Sequence, residues 1–118
     1  MAYIETFVAA VPTENRAAYE KMSRTMAEIH KENGALGVTE CWGTNVRDGQ
    51  ITSLPMAVQL KDDETVVMGW IRWPSKEIRD VAFANMRSDP RMADVMAGGM
   101  PFDGKRMITG GFEPWLEI

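Results

Sequence analysis

The chain has 118 residues, 17 acidic and 13 basic, with a formal net charge of −4. That length supports one domain, residues 1–118, able to bury its apolar surface without staples, and the acidic balance argues against a nucleic-acid or anionic-membrane partner, since both need a basic face. One cysteine, Cys41, excludes an internal disulfide and one histidine, His30, excludes a zinc site of the Cys/His kind, so no metal and no cofactor is expected and the chain reads as cytoplasmic.

Tyr3 to Val11 is rich in β-formers, is interrupted by Glu5 and ends at Pro12, which fits a first strand rather than a signal peptide or a membrane span. Tyr3, Glu5, Phe7 and Ala9 share one face, with Ile4, Thr6, Val8 and Ala10 on the other, and neither face is plainly polar. Thr13 is placed to cap a helix whose apolar stripe is Tyr19, Met22, Met26 and Ile29, closed by Asn33-Gly34. His30 lies at the edge of that stripe and reads as a half-buried polar neighbour of the sheet.

Leu36 to Val46 is a second strand in which Val38, Glu40 and Trp42 alternate with Thr39 and Cys41. A turn at Arg47-Asp48-Gly49-Gln50 leads to Ile51–Leu60, which carries Pro55 and is read as an edge or crossing arm. Thr65 to Trp73 is the central strand, with Val66, Met68, Trp70 and Arg72 facing one way and Val67, Gly69, Ile71 and Trp73 the other. Pro74-Ser75 opens a helix with Ile78, Val81, Ala82 and Met86 as its stripe, and Asp89-Pro90 opens a short helix running to Gly98-Gly99. The turn Pro101-Phe102-Asp103-Gly104 then feeds a last strand, Lys105 to Leu116, with Gly110-Gly111 allowing a bulge or a close approach.

The order β-α-β, arm, β-α-α-β matches a split βαβ, ferredoxin-like α+β fold: one antiparallel sheet with helices on one face. On the inferred strand phases the uncovered face carries Tyr3, Phe7, Val38, Trp42, Met68 and Trp70, too apolar for water. A second copy packing sheet to sheet would cover it, giving a homodimeric α+β barrel.

With Trp42-Gly43, Asp48-Gly49, Trp70-Ile71-Arg72-Trp73-Pro74-Ser75-Lys76, Asp89-Pro90-Arg91-Met92 and Met100-Pro101-Phe102-Asp103-Gly104-Lys105-Arg106-Met107, the chain resembles the bacterial YbaA-like family, domain of unknown function 1428, nearly end to end. The resemblance implies a small cytosolic dimeric α/β-barrel protein with no established activity, and it supplies no catalytic residues.

The charges set among apolar residues are the best physical clue to function. On the inferred phases Glu5, Glu40 and Arg72 share a face with the tryptophans, and Arg106 enters the last strand near them. Buried charges persist when paired, so these residues either form an ion-pair cluster that fixes dimer register or anchor the polar end of a ligand. In the ligand reading, Trp42, Met68 and Trp70 embrace a small apolar or aromatic molecule, between sheet and helices or between the two sheets. Glu40, Arg72 and Arg106 orient it, and Glu5 or Glu40 is available as a general base. In the alternative, the chain is a noncatalytic structural or interaction module whose charged cluster serves only the dimer. A more distant alternative, resting on fold analogy, is a cofactor-independent monooxygenase-like enzyme.

Overall fold

The computed structural model describes residues 2–118. Its elements are β1 (Tyr3–Pro12), α1 (Arg16–Glu32), β2 (Gly37–Trp42), α2 (Leu54–Ala57), β3 (Glu64–Trp73), α3 (Lys76–Met86), α4 (Pro90–Ala97) and β4 (Ile108–Phe112). The four strands form one sheet in the order β2-β3-β1-β4, antiparallel throughout. The two strands richest in β-formers, β1 and β3, hold the centre and pair along their whole length, from Tyr3 opposite Trp73 to Pro12 opposite Glu64. This is the α+β, ferredoxin-like arrangement expected from the element order.

Local chemistry sets the helix starts. Ser75 Oγ accepts from the Ile78 amide at 3.2 Å and Asp89 Oδ1 from the Arg91 amide at 2.9 Å, each satisfying an amide that has no partner in the first helical turn. The segment expected as an extended arm instead coils into α2. Ser53 Oγ accepts from the Met56 amide at 3.1 Å, and Pro55 sits in the first turn, where its missing N–H costs nothing. Thr13 does not cap α1. Its hydroxyl meets that of Thr65 at 2.7 Å, a tight 3-10 turn spans Thr13–Asn15, and the helix begins at Arg16.

The last strand is shorter than expected, because Gly104–Arg106 form another 3-10 turn in which Asp103 Oδ1 accepts from the Lys105 amide at 3.1 Å. Gly111 does mark a close approach, by Tyr3: a Cβ there would fall 1.9 Å from the Tyr3 hydroxyl. On α3, Ala82 and Met86 are buried but Ile78 and Val81 are exposed; Phe83 takes the inward position instead and packs against the core.

The main correction concerns which strand faces lie together. The ladder sets Phe7 opposite Gly69 and Glu5 opposite Ile71, and Val38 opposite Ile71. Tyr3, Glu5, Phe7, Val38, Glu40 and Trp42 therefore share the helix-covered side with Val67, Ile71 and Trp73. Alternation within each strand is as read, but the open face belongs to Ile4, Thr6, Val8, Met68, Trp70 and Arg72. The phase is fixed by Trp73, which is fully buried beneath the helices with Ile29, Ala35, Ala82 and Met86. Moving it to the open side would displace the whole set of core residues of β3. At one end of the open face Val46, Val58 and Leu60 fold over Val8, Ala10 and Val66. The rest is uncovered: Trp70 is 37% and Phe112 58% exposed. Beyond β4, Trp115 is 90% exposed.

Candidate functional site

Between the helix-covered side of the sheet and α1, α3 and α4 lies a cavity of about 400 Å³, within the size range of small-molecule sites. Phe7 and Val38 form part of its floor, and Phe83 and Phe102 stand in its walls. Six methionines, Met22, Met26, Met92, Met96, Met100 and Met107, supply much of the rest. Thioether side chains are unbranched and polarisable, so they adapt to a bound shape and make favourable contacts with aromatic rings. The spacing that puts them there is visible in the sequence: Met22 and Met26 are one turn apart on α1, and Met92, Met96 and Met100 repeat every four residues along and beyond α4.

Four polar features interrupt this lining. Glu5 receives two hydrogen bonds from Arg79, Nε to Oε2 and Nη2 to Oε1, both 3.2 Å. The Arg79 guanidinium also lies 3.9 Å from the centre of the Phe83 ring, so the pair is held from above and below. Tyr19 donates to Glu40 Oε1 at 2.9 Å. Burial, with the Glu40 charge and hydrogen bond added, pushes the Tyr19 phenol well above its ordinary value, so it remains a donor locked onto the carboxylate. Ser23, next to Met22 on the same wall, has a buried hydroxyl without a hydrogen-bond partner.

The fourth feature is His30, 9% exposed and part of the cavity wall. Its Nδ1 lies 2.6 Å from the Met26 carbonyl oxygen. A carbonyl only accepts, so Nδ1 carries the proton and Nε2 keeps its lone pair. Trp73 and Phe83 hold the ring, with centroids 5.9 and 6.3 Å away. Burial lowers the imidazole below its ordinary value, although the Met26 carbonyl and the Glu40 and Glu5 charges pull the other way. The ring is therefore neutral at physiological pH.

The seven residues singled out from sequence do not form one site. Glu5 and Glu40 line the cavity. Trp42 shares their face but lies nearer the sheet edge, with the Arg16 guanidinium 4.7 Å above its ring. Met68, Trp70 and Arg72 are on the opposite face, where Arg72 pairs loosely with Glu117 at 3.7 Å. Arg106 is not in the cavity wall either. It makes a two-pronged bond to Glu64 at 2.6 and 2.7 Å, reaches Asp103 at 3.0 Å and the Gln59 carbonyl at 2.9 Å, and so pins the α2 segment to the turn before β4. Among the described residues these four charges form no single cluster: Glu5 pairs with Arg79, Glu40 with Tyr19 and Arg106 with Glu64, and Arg72 alone lies on the open face. His30, expected only as a polar neighbour of the sheet, and the methionines of α1 and α4 are the residues that shape the cavity. Among the described residues, no group of three or more His, Cys, Asp or Glu side chains is placed to hold a metal ion, and no helix is long and apolar enough to cross a membrane.

Residues 2–104 match the family model described as "Protein of unknown function (DUF1428)". The chain belongs to the DUF1428 family. It is 50% identical over 117 residues to the uncharacterized protein YbaA of Escherichia coli K12, covering 99% of both chains, and equally similar to YbaA of Shigella flexneri. Among solved structures, this member is similar to SnoaB, a cofactor-independent oxygenase from Streptomyces nogalater, with a TM-score of 0.60 at 14% identity, over 99% of this chain and 96% of that one. It is also similar to a dimeric ferredoxin-like protein from an uncultured marine organism, with a TM-score of 0.57 at 12% identity and full coverage of both chains. At these identities the likeness is one of fold.

Proposed function

We propose that this DUF1428 protein binds a small apolar, aromatic molecule in the cavity between its sheet and helices. The observation that carries this reading is the lining itself: six methionines and three phenylalanines around about 400 Å³, with Glu5, Glu40 and His30 as the few polar groups that would orient a guest. A core packed only for stability is filled to the density of an organic crystal and leaves no such space. Oxygenation of the kind SnoaB is named for rests here on fold alone, so binding, and not a reaction, is the reading.

Binding of the neutral fluorophore N-phenyl-1-naphthylamine tests it. The probe should brighten on mixing with the protein, with a dissociation constant in the micromolar range, about −8 kcal/mol. Ala27→Trp, which places an indole in the cavity wall, should weaken it by at least tenfold while the folded circular dichroism spectrum is retained. Unchanged affinity in that folded variant would mean the probe sits elsewhere and the cavity is not the site.

The second part of the proposal is a homodimer in the cytoplasm, formed through the open sheet face. Trp70, Ile108 and Phe112 lie exposed on that face, a patch that water solvates poorly, and the marine protein of similar fold is described as dimeric. In this arrangement the interface is the sheet face and the ligand cavity lies on the other side, so dimerisation and binding are separable. Light scattering should give twice the chain mass, and Trp70→Asp should halve it without loss of probe binding; a monomeric parent chain at micromolar concentration contradicts the dimer.

A further inference from the structure

Two polar groups in the cavity wall are left without a hydrogen-bond partner among the described residues: the Ser23 hydroxyl and one nitrogen of His30, the only one of the two that accepts without also being a donor. Tyr19 is committed to Glu40 and Arg79 to Glu5 and Asp80. His30 spends its single N–H on the Met26 carbonyl, and its Nε2 has no hydrogen bond among the described residues. An imidazole held this way has one open valence, a lone pair that accepts from a donor on a ligand and does not itself donate. The ring is nine-tenths buried and braced between Trp73 and Phe83, so its orientation is fixed before a ligand arrives. A ligand that merely filled the apolar space would leave this lone pair desolvated and unpaired, which is unfavourable.

Building on the binding reading above, we infer that His30 Nε2 selects the ligand, and that the ligand class is an apolar aromatic molecule bearing an acidic hydroxyl, a phenol or an enol, whose O–H donates to Nε2. The groups facing the ring favour a shared proton over a transferred one. Glu5 on β1 and Glu40 on β2 are carboxylates that favour an imidazolium but oppose an oxyanion beside it, Arg79 on α3 is already neutralised by Glu5 and Asp80, and Tyr19 on α1 is neutral. Burial keeps the imidazole below its ordinary value despite those carboxylates, so the ligand O–H stays intact and donates to the neutral Nε2, and no bond is broken.

Because His30 is the chain's one histidine, its ring nitrogens can be observed without assignment ambiguity by labelling histidine with nitrogen-15. The probes are 4-nitrophenol, whose phenol and phenolate forms absorb at different wavelengths, and 4-nitroanisole, its methyl ether, which has no hydroxyl proton. With the wild-type protein, 4-nitrophenol should bind about tenfold more tightly than 4-nitroanisole, shift the free ring nitrogen as it accepts the hydrogen bond, and keep its phenol absorbance to a higher pH than in buffer. His30→Gln keeps an amide donor for the Met26 carbonyl but has no basic nitrogen. It should lose the preference, so that the two probes bind with similar affinity. If 4-nitrophenol binds no better than the ether, or leaves the ring signals in place, His30 is a wall and not an acceptor, and the binding reading stands without it. Equal weakening of both probes in His30→Gln overturns the inference in the same way. Failure of both probes to bind the wild-type protein removes the cavity reading itself, and this inference with it.

Discussion

Arg79→Met should lower the free energy of unfolding by about 3 kcal/mol. Glu5 lies near the start of the inner strand β1, where its side chain is only 11% exposed, and the guanidinium of Arg79 is its partner. Methionine retains contact with Phe83 but provides no donors, so the carboxylate is left desolvated and unpaired, or must take up a proton. The penalty comes from stranding the charge and not from the strength of the bond, so Glu5→Leu combined with Arg79→Met should recover most of the loss. Urea unfolding of the two single variants and the double variant forms the required cycle. Two single losses that simply add in the double variant would show that the pair is not coupled, and that Glu5 finds water in the cavity. The distinction bears on function, because an uncoupled Glu5 would be a free carboxylate at the ligand's edge.

The second large effect is expected at the other end of the molecule. Arg106→Met should lower the melting temperature by on the order of 10 °C without changing probe binding, because Arg106 ties Glu64, Asp103 and the carbonyls after α2 together and has no place in the cavity wall. The Arg106 hydrogen bonds hold the Glu64 carboxyl below its ordinary value of 4.5 and that of Asp103 below its value of 3.8. Depressed folded-state values mean the unfolded chain binds these protons first as pH falls. The stabilisation is therefore complete above about pH 5 and is lost progressively as pH drops through the folded values. Melting curves from pH 7 to pH 3 should show the parent chain losing stability steeply on the acid side, and Arg106→Met losing less over the same range. Parallel curves would contradict the assignment of that acid sensitivity to Arg106.

Most of the fold was readable from local chemistry. Ser75 and the Asp89-Pro90 pair mark helix starts because capping acts within three residues, and β1 and β3 announce themselves as inner strands through unbroken runs of β-formers. Pro55 misled in an instructive way: proline is excluded from a central strand, but it equally suits the first turn of a helix, and Ser53 two residues earlier was the signal that decides between them. The faces of the sheet were not readable. Period-two alternation tells which residues of β1 lie together, but whether Phe7 falls beside Gly69 or beside Met68 depends on strand register, which is set by where Trp73 is buried. That single choice moved Glu5, Glu40 and Trp42 to the helix side and left Met68, Trp70 and Arg72 on the other, dividing a site that looked continuous in sequence. Arg106 failed as a site residue for another reason, since its partners Glu64 and Gln59 lie more than forty positions away. The methionine spacing on α1 and α4 was legible, as was His30 one turn after Met26. What the sequence lacked was the knowledge that these two helices face each other across an open space.

The central claim, that the space beneath α1 and α4 is a binding site, is tested most directly by carbon-13 labelling of the methionine methyl groups. Methionines occur both around the cavity and outside it: Met68 lies on the open sheet face and Met56 on α2, away from the cavity wall. On titration with N-phenyl-1-naphthylamine, the methyl signals of Met22, Met26, Met92, Met96, Met100 and Met107 should shift together and saturate at one probe per chain, while those of Met56 and Met68 stay in place. Shifts confined to Met68, with the six cavity methyls unmoved, would put the ligand on the open sheet face and contradict the account.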